Sequence, residues 1–271
     1  MTSSHEGNDI ERFDDEPPEK DRQFVTALAR GLELLRCFAP RERHLGVTEL
    51  ARRTGIPKPS VARLAGTLVK LGYLNFTEAL GKYSLGSGVL SLGYAMLSNI
   101  DIRQIARPFM QDLAEYSRAS VSVGVRDRLS MVYVETIRSS APIALQRGVG
   151  ARLPLATTSM GRAYLAGLPD NERHFLMDQI RLRDEAAWPR IKTGIEDGLR
   201  DYAERGFCLS LTDWDREIVG VGVPLQGPDG ALMAFNCGGP AFMLSRDKLE
   251  NDIGPKLVSL VERVGNMMGR P

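Results

Sequence analysis

Ser60, Arg63, Thr67 and Lys70 recur at three- and four-residue intervals, the spacing that gathers side chains on one face of an α-helix. Such a face carries two hydroxyls and two cations. The Arg63 guanidinium suits bidentate donation to a guanine edge, worth about 1–3 kcal/mol of discrimination. Ser60, Thr67 and the free N–H groups of the helix start suit phosphate oxygens. Lys58 and Lys82 flank this stretch as further cations. Taken alone, a basic stripe on an amphipathic helix is usually just a solvated face, so its neighbours decide the reading.

Those neighbours are regular. Leu28, Leu32, Leu35 and Phe38 mark one helix, ended by Pro40. Thr48 can cap a second, short helix holding Leu50 and Ala51, which Gly55 breaks. Pro59 suits the first turn of the third helix, which should bury Val61, Leu64, Leu68 and Leu71 and stop at Gly72. Two short strands follow, near Tyr73–Phe76 and Lys82–Leu85, joined through Glu78–Gly81. Helix, helix, turn, helix and hairpin in about 60 residues make a winged helix-turn-helix. Its third helix fits a DNA major groove, and Lys82 stands on a wing strand, placed to touch the backbone. The charge agrees. Residues 23–86 carry ten basic against four acidic residues, a net +6, within a chain of net charge +1.

Beyond the hairpin, residues 87–98 read as a mostly apolar connecting helix. Asp101 can cap another, striped with Ile102, Ile105, Phe109, Leu113 and Tyr116. From Ala119 the period shifts toward two, with a hairpin turning through Arg126–Ser130. A strand at Arg152–Leu155 enters a helix at Thr157–Leu168, and helices fit Asn171–Ile180 and Trp188–Arg205. Strands follow at Phe207–Leu211, Ile218–Leu225 and Ala231–Asn236, and Leu257, Leu260, Val261 and Val264 mark a last helix. The fold class is α+β, with an antiparallel sheet in the C-terminal domain.

Enzyme chemistry finds little support. Cys37, Cys208 and Cys237, with His5, His44 and His174, have no metal-ligand spacing and read as buried reduced thiols and scattered histidines. No G-x-S-x-G occurs, and Ser159 is followed by Met160-Gly161-Arg162 rather than S-x-x-K. No cofactor and no metal are implied. Thr157, Thr158 and Ser159 open a helix whose unpaired N–H groups favour an anion, with plain helix capping as the even alternative. Asp213, Asp215, Arg216 and Glu217 read as a solvated loop, and Gly148 and Gly150 as turn glycines. Residues 1–22 carry eight acidic against three basic residues with Pro17-Pro18, the composition of a disordered tail. No apolar run approaches the roughly 20 residues of a membrane span, so the expected location is the cytoplasm. The expected domains are a disordered tail at 1–23, the winged module at 24–86, a linker helix at 87–101 and an effector domain at 102–271.

Five segments of the chain resemble the IclR family of bacterial transcription regulators. They are TALARGLELL at Thr26–Leu35, VTELARRTGIPKPSVARL at Val47–Leu64, LGYL at Leu71–Leu74, KYSLG at Lys82–Gly86 and RLPLATTSMGRAYLA at Arg152–Ala166. The resemblance implies a winged helix-turn-helix, a linker helix and a GAF-like C-terminal domain. It also implies homodimers, or tetramers built as pairs of dimers, on double-stranded palindromic operators, with no membrane partner. It places effector-pocket positions at Ser159, Met160, Ser210, Gly220, Asn236 and Gly238. Where a keto-acid-binding relative has a carboxylate and a cysteine, Ser210 and Gly220 stand here. Where it has two serines, Asn236 and Gly238 stand here. That substitution pattern favours another small organic acid, an aromatic carboxylate ahead of a short keto-acid. Its carboxylate is expected at Ser159, its body against Met160, and its ring in volume left by Gly220 and Gly238.

Overall fold

A computed structural model describes residues 23–40, 42–139 and 147–269. All of the expected disordered tail except Gln23 lies outside them. The chain divides into two compact units at Asn99/Ile100.

In the first unit, helices α1 (Thr26–Arg36), α2 (Val47–Thr54) and α3 (Lys58–Lys70) precede a hairpin of β1 (Leu74–Thr77) and β2 (Lys82–Leu85), then α4 (Ser87–Ser98). The α2–α3 turn forms because Gly55 takes φ +71°, a left-handed conformation a side chain would resist. Pro59 sits in the first turn of α3, where its missing N–H costs nothing. Leu34, Leu50, Val61, Ala65, Leu68 and Leu74 form the core. A bridge from Leu45 to Tyr83 ties the wing to the segment leading into α2.

Several sequence expectations shift here. Gly46, not Thr48, holds the cap position before α2, and no side chain caps the helix. On α1 the buried residues are Gly31 and Leu34, while Leu28 and Leu32 are 63% and 48% exposed. On α3, Ala65 is buried and Leu71 is exposed. Helix axes that approach closely select small side chains, and stripes counted from large residues alone come out rotated. No residue of α4 is buried, and this helix falls in the first unit rather than forming a separate linker.

The second unit begins with α5 (Ile102–Ser117). Next come β3 (Ser120–Asp127), β4 (Ser130–Ile137), β5 (Arg152–Pro154), α6 (Ser159–Ala166), α7 (Asp170–Arg183) and α8 (Trp188–Arg205). Strands β6 (Cys208–Leu211), β7 (Ile218–Gln226) and β8 (Leu232–Pro240) follow. The chain closes with α9 (Arg246–Lys248), a π-helical turn at Leu249–Ile253 and α10 (Gly254–Met267). The six strands form one antiparallel sheet in the order β5-β4-β3-β8-β7-β6. Helix α6 packs on one face, with Gly220 and Gly222 of β7 turned toward Ser159. Helices α5 and α10 pack on the other, where the Cys237 thiol of β8 meets the Ser117 hydroxyl of α5.

Asp101 precedes α5 without capping it, and the expected stripe is again displaced. Ala106, Met110, Ala114 and Ser117 are buried beside Ile102 and Leu113, while Tyr116 is 55% exposed. The last helix is buried through Leu257, Leu260, Val261 and Val264, as its spacing indicated.

Candidate DNA-reading helix and candidate effector pocket

On α3, Lys58, Arg63, Thr67 and Lys70 are exposed and Ser60 is half-buried, opposite the face that carries Val61, Ala65 and Leu68. The Thr67 hydroxyl donates to the Arg63 carbonyl at 3.1 Å, so it offers a partner its lone pairs. No side chain caps the α3 start, which leaves its first N–H groups for a partner. Lys82 is exposed at the turn end of the hairpin, opposite Thr77, after a tight turn through Gly81 at φ +60°. The neighbouring Arg52 and Arg53 lie outside this stripe because both guanidiniums are held by Glu49. Arg53 also donates to both carboxylate oxygens of Glu42 at 2.6 Å and to the Cys37 carbonyl at 2.9 Å. These arginines brace α2 and leave Arg63 to face outward.

In the second unit, five of the six expected pocket residues come together. Ser210, Gly220 and Gly238 stand opposite one another across β6, β7 and β8, and directly opposed residues share a face. Asn236 lies two residues along β8 on that face, and Ser159 leans in from α6. Together with Tyr133, Leu153, Thr158, Trp214, Ile218 and Val219 they enclose a cavity of about 20 Å³, room for about one water molecule.

Met160 is not part of it. That side chain is fully buried against Gly124 of β3, where a Cβ would come within 2.7 Å of its sulfur. The two glycines do not open volume for a ring either. A Cβ at Gly220 would lie 3.1 Å from the Ser159 hydroxyl and 2.9 Å from the Cys237 carbonyl, and one at Gly238 would lie 3.1 Å from the Val219 carbonyl. They permit close packing of strand on strand and of strand on helix.

The N-terminus of α6 is closed to an anion. Thr158 caps it, its hydroxyl oxygen accepting from the Gly161 N–H at 3.1 Å. Gly222 lies so close to the first turn that a Cβ there would be 2.3 Å from the Ser159 carbonyl and 3.0 Å from the Met160 nitrogen. Capping is therefore what the Thr157–Ser159 segment does.

Sequence reasoning missed the polar wall behind the cavity. The Tyr133 hydroxyl lies beside the side chains of Asn236 and Ser122, and Thr136 donates to Ser122 at 3.0 Å. Burial raises the Tyr133 pKa above the usual phenol value, so the group stays a neutral hydroxyl. A β-bulge makes this wall possible. Val123 pairs with Glu135 and Gly124 with Tyr133, leaving Val134 unpaired. Tyr133 turns to the cavity while Glu135 reaches Arg103 and Arg107 of α5 at 3.4 and 3.2 Å. A signal was present in Ser120-Val121-Ser122, hydroxyls alternating with valine in a strand buried on both faces.

The loop after β6 is more than a solvated connection. Asp213 accepts from buried Arg162 at 3.1 Å and from the Leu211 N–H at 3.3 Å. Trp214 lines the cavity with the Arg147 guanidinium stacked on its ring, 4.6 Å from the centroid. A wider recess of about 310 Å³ lies elsewhere on this unit, between Arg126 and α7. Its Asn171, Glu172 and Phe175 are exposed, and no buried polar groups converge there. The small cavity carries the chemistry.

The three thiols are buried and free. Burial pushes the Cys37 and Cys237 pKa values up to about 11 and raises that of Cys208 as well, so none is a ready nucleophile.

Comparison with known proteins decides the family. The profile of the IclR helix-turn-helix domain matches residues 27–78, and that of the bacterial transcriptional regulator IclR C-terminal domain matches residues 94–264. The chain belongs to the IclR family of transcription regulators. A crystal structure of an IclR-family regulator from Brucella abortus is 50% identical, with TM-score 0.86, covering 92% of this chain and 94% of that one. The regulator TsaQ1/TsaQ2 of Comamonas testosteroni is 33% identical over 92% of this chain and 91% of its own length. The Pca regulon regulatory protein of Pseudomonas putida is 28% identical over 88% and 82%. These IclR-type relatives are named for regulation rather than for catalysis. Among the described residues, no helix is long and apolar enough to cross a membrane.

Proposed function

We propose that this IclR-type regulator reads a palindromic operator through Arg63 and Ser60 of α3, and that the cavity under Trp214 is its effector site. It acts in the cytoplasm and catalyses no reaction. The observation that carries the DNA reading is the exposed α3 face, where Arg63 projects beside an uncapped helix start while its neighbours Arg52 and Arg53 are paired. Arg63→Ala weakens binding to the native promoter by about 1–3 kcal/mol in a mobility-shift titration. Lys82→Ala lowers affinity for every sequence and flattens the salt dependence by about one unit of slope. Unchanged affinity in Arg63→Ala removes that residue from the reading.

The effector is a small organic acid, an aromatic carboxylate ahead of a keto-acid. With the α6 terminus closed, its carboxylate belongs at Arg147 rather than at Ser159. Trp214 gives way at the mouth and supplies a face for the ring.

A second reading concerns assembly. Helix α4 exposes Leu90 (75%) and Tyr94 (71%), and α1 exposes Leu28. Apolar faces of this extent in one small unit suit a second copy of the same chain. That copy would set two recognition helices about 34–36 Å apart, one turn of DNA. The double variant Leu90→Glu/Tyr94→Glu in the full chain sediments as a smaller species and loses affinity for the palindrome. An unchanged sedimentation profile moves the assembly contact into the second unit.

A further inference from the structure

Asn236 is 8% exposed and lines the cavity, yet its Oδ1 has no hydrogen-bond partner among the described residues. Buried carbonyl oxygens are nearly always paired, so one left over at a cavity wall asks for a donor from the cavity itself. The Asn236 side chain lies beside the Tyr133 hydroxyl, which in turn neighbours Ser122.

Two of the hydroxyls around it are already committed. Ser210 donates to the Thr157 carbonyl at 2.8 Å, and Thr158 donates to the Pro154 carbonyl at 2.8 Å. Both therefore turn only lone pairs toward the cavity. Ser210, Thr158 and Asn236 thus all turn acceptor oxygens toward the cavity.

Resting on the reading of this cavity as the effector site, we propose that the effector is a hydroxylated organic acid whose hydroxyl donates to Asn236 Oδ1. A neutral hydroxyl fits better than an ammonium. Among the described residues no carboxylate lines the cavity, Asp213 nearby is engaged by Arg162, and Arg147 sits over Trp214 at its edge. A buried cation there would be unpaired and repelled. The molecule is therefore polar at both ends. Its carboxylate meets the guanidinium, and its hydroxyl reaches the amide oxygen.

Calorimetry on the full-length protein tests this with two matched sets. One is mandelate, its methyl ether 2-methoxy-2-phenylacetate, and phenylacetate. The other is 4-hydroxyphenylacetate, 4-methoxyphenylacetate and phenylacetate. In at least one set the hydroxyl compound binds tenfold or more tightly than both its ether, which keeps the oxygen but loses the donor, and its deoxy partner. Asn236→Leu closes the gap in affinity between that compound and its deoxy partner to less than threefold. The comparison of ligands on the unaltered protein decides the matter even where the variant does not fold. Should an ether or deoxy compound bind as tightly as the hydroxyl compound in both sets, the hydroxyl inference is overturned and the organic-acid reading stands. Absence of binding by every compound in both sets overturns the two together.

Discussion

The two units keep their polar groups in opposite places. In the winged module the charged and hydroxyl side chains of α3 are at the surface, and the core beneath them is apolar. In the larger unit Ser122, Glu135, Thr158, Ser159, Ser210, Asn236 and Arg162 are all buried. Most of them are bound to one another or to backbone. A partner as large as a DNA groove is met by side chains that stand clear of the protein. A ligand of a few atoms has to be met inside, by groups already held in place and screened from water. The difference also sets what each region tolerates. Exposed reading residues can change with little cost to the fold, whereas the pocket is built from the same close contacts that hold sheet and helix together.

The largest effect that would sharpen this contrast comes from Gly222→Val. The new side chain would be driven into the first turn of α6, so the larger unit loses about 3 kcal/mol or more. Both tryptophans, Trp188 and Trp214, lie in that unit, so their fluorescence in a urea titration follows it alone. The expected result is a lower midpoint by fluorescence, with the phase of the far-ultraviolet circular dichroism transition that belongs to the winged module unmoved. Equal shifts in both signals would mean that the units unfold as one, and the contrast between them would lose its physical basis.

The same contrast explains which parts were legible in the sequence. The order of elements in the winged module follows from periodicity and punctuation: Gly55, Pro59 and Gly72 mark its turns and its third helix, and the polar stripe of α3 is a matter of spacing. The buried faces of α1 and α5 were misjudged because Gly31, Ala106 and Ala114 carry no weight in a count of large apolar residues. Close packing favours them all the same. The row of Ser210, Gly220 and Gly238 came from family likeness. Spacing alone cannot show which strand lies beside which, and β3 neighbours β8, more than a hundred residues away. The bulge at Val134 was equally hidden, and without it Tyr133 and Glu135, two residues apart, would face the same side. The role of Gly220 was misread because a missing side chain can mean room for a ligand or room for the protein itself. Only the position of Ser159 distinguishes the two.

A smaller effect separates the units by pH. In the winged module, hydrogen bonds from Arg52 and then Arg53 hold the Glu49 carboxyl down to about 2, and Arg53 also lowers the Glu42 pKa. A carboxyl whose folded pKa is depressed adds stability above its unfolded value near 4.5, and that stability is lost as pH falls toward 2. Asp201 on α8 behaves in the other sense. Burial raises its pKa, so taking up a proton favours the folded state of the larger unit as pH falls. Acidification from pH 5 to 2 should therefore weaken the winged module through Glu49 and Glu42, whereas in the larger unit Glu250, its pKa lowered by the Arg246 hydrogen bond, acts in the same sense and Asp201 opposes it. Arg53→Ala isolates the first contribution. It removes the bonds to Glu42, Glu49 and the Cys37 carbonyl and costs about 1–2 kcal/mol at neutral pH, between the values for exposed and buried pairs. The variant should also lose much of the acid sensitivity, because Glu42 then titrates near its ordinary value while Glu49 keeps only Arg52. Urea midpoints at pH 7, 5 and 3, by circular dichroism for the whole chain and by tryptophan fluorescence for the larger unit, measure both effects. A variant with an unchanged acid slope would show that the Arg53 cluster braces α2 by shape and not by charge.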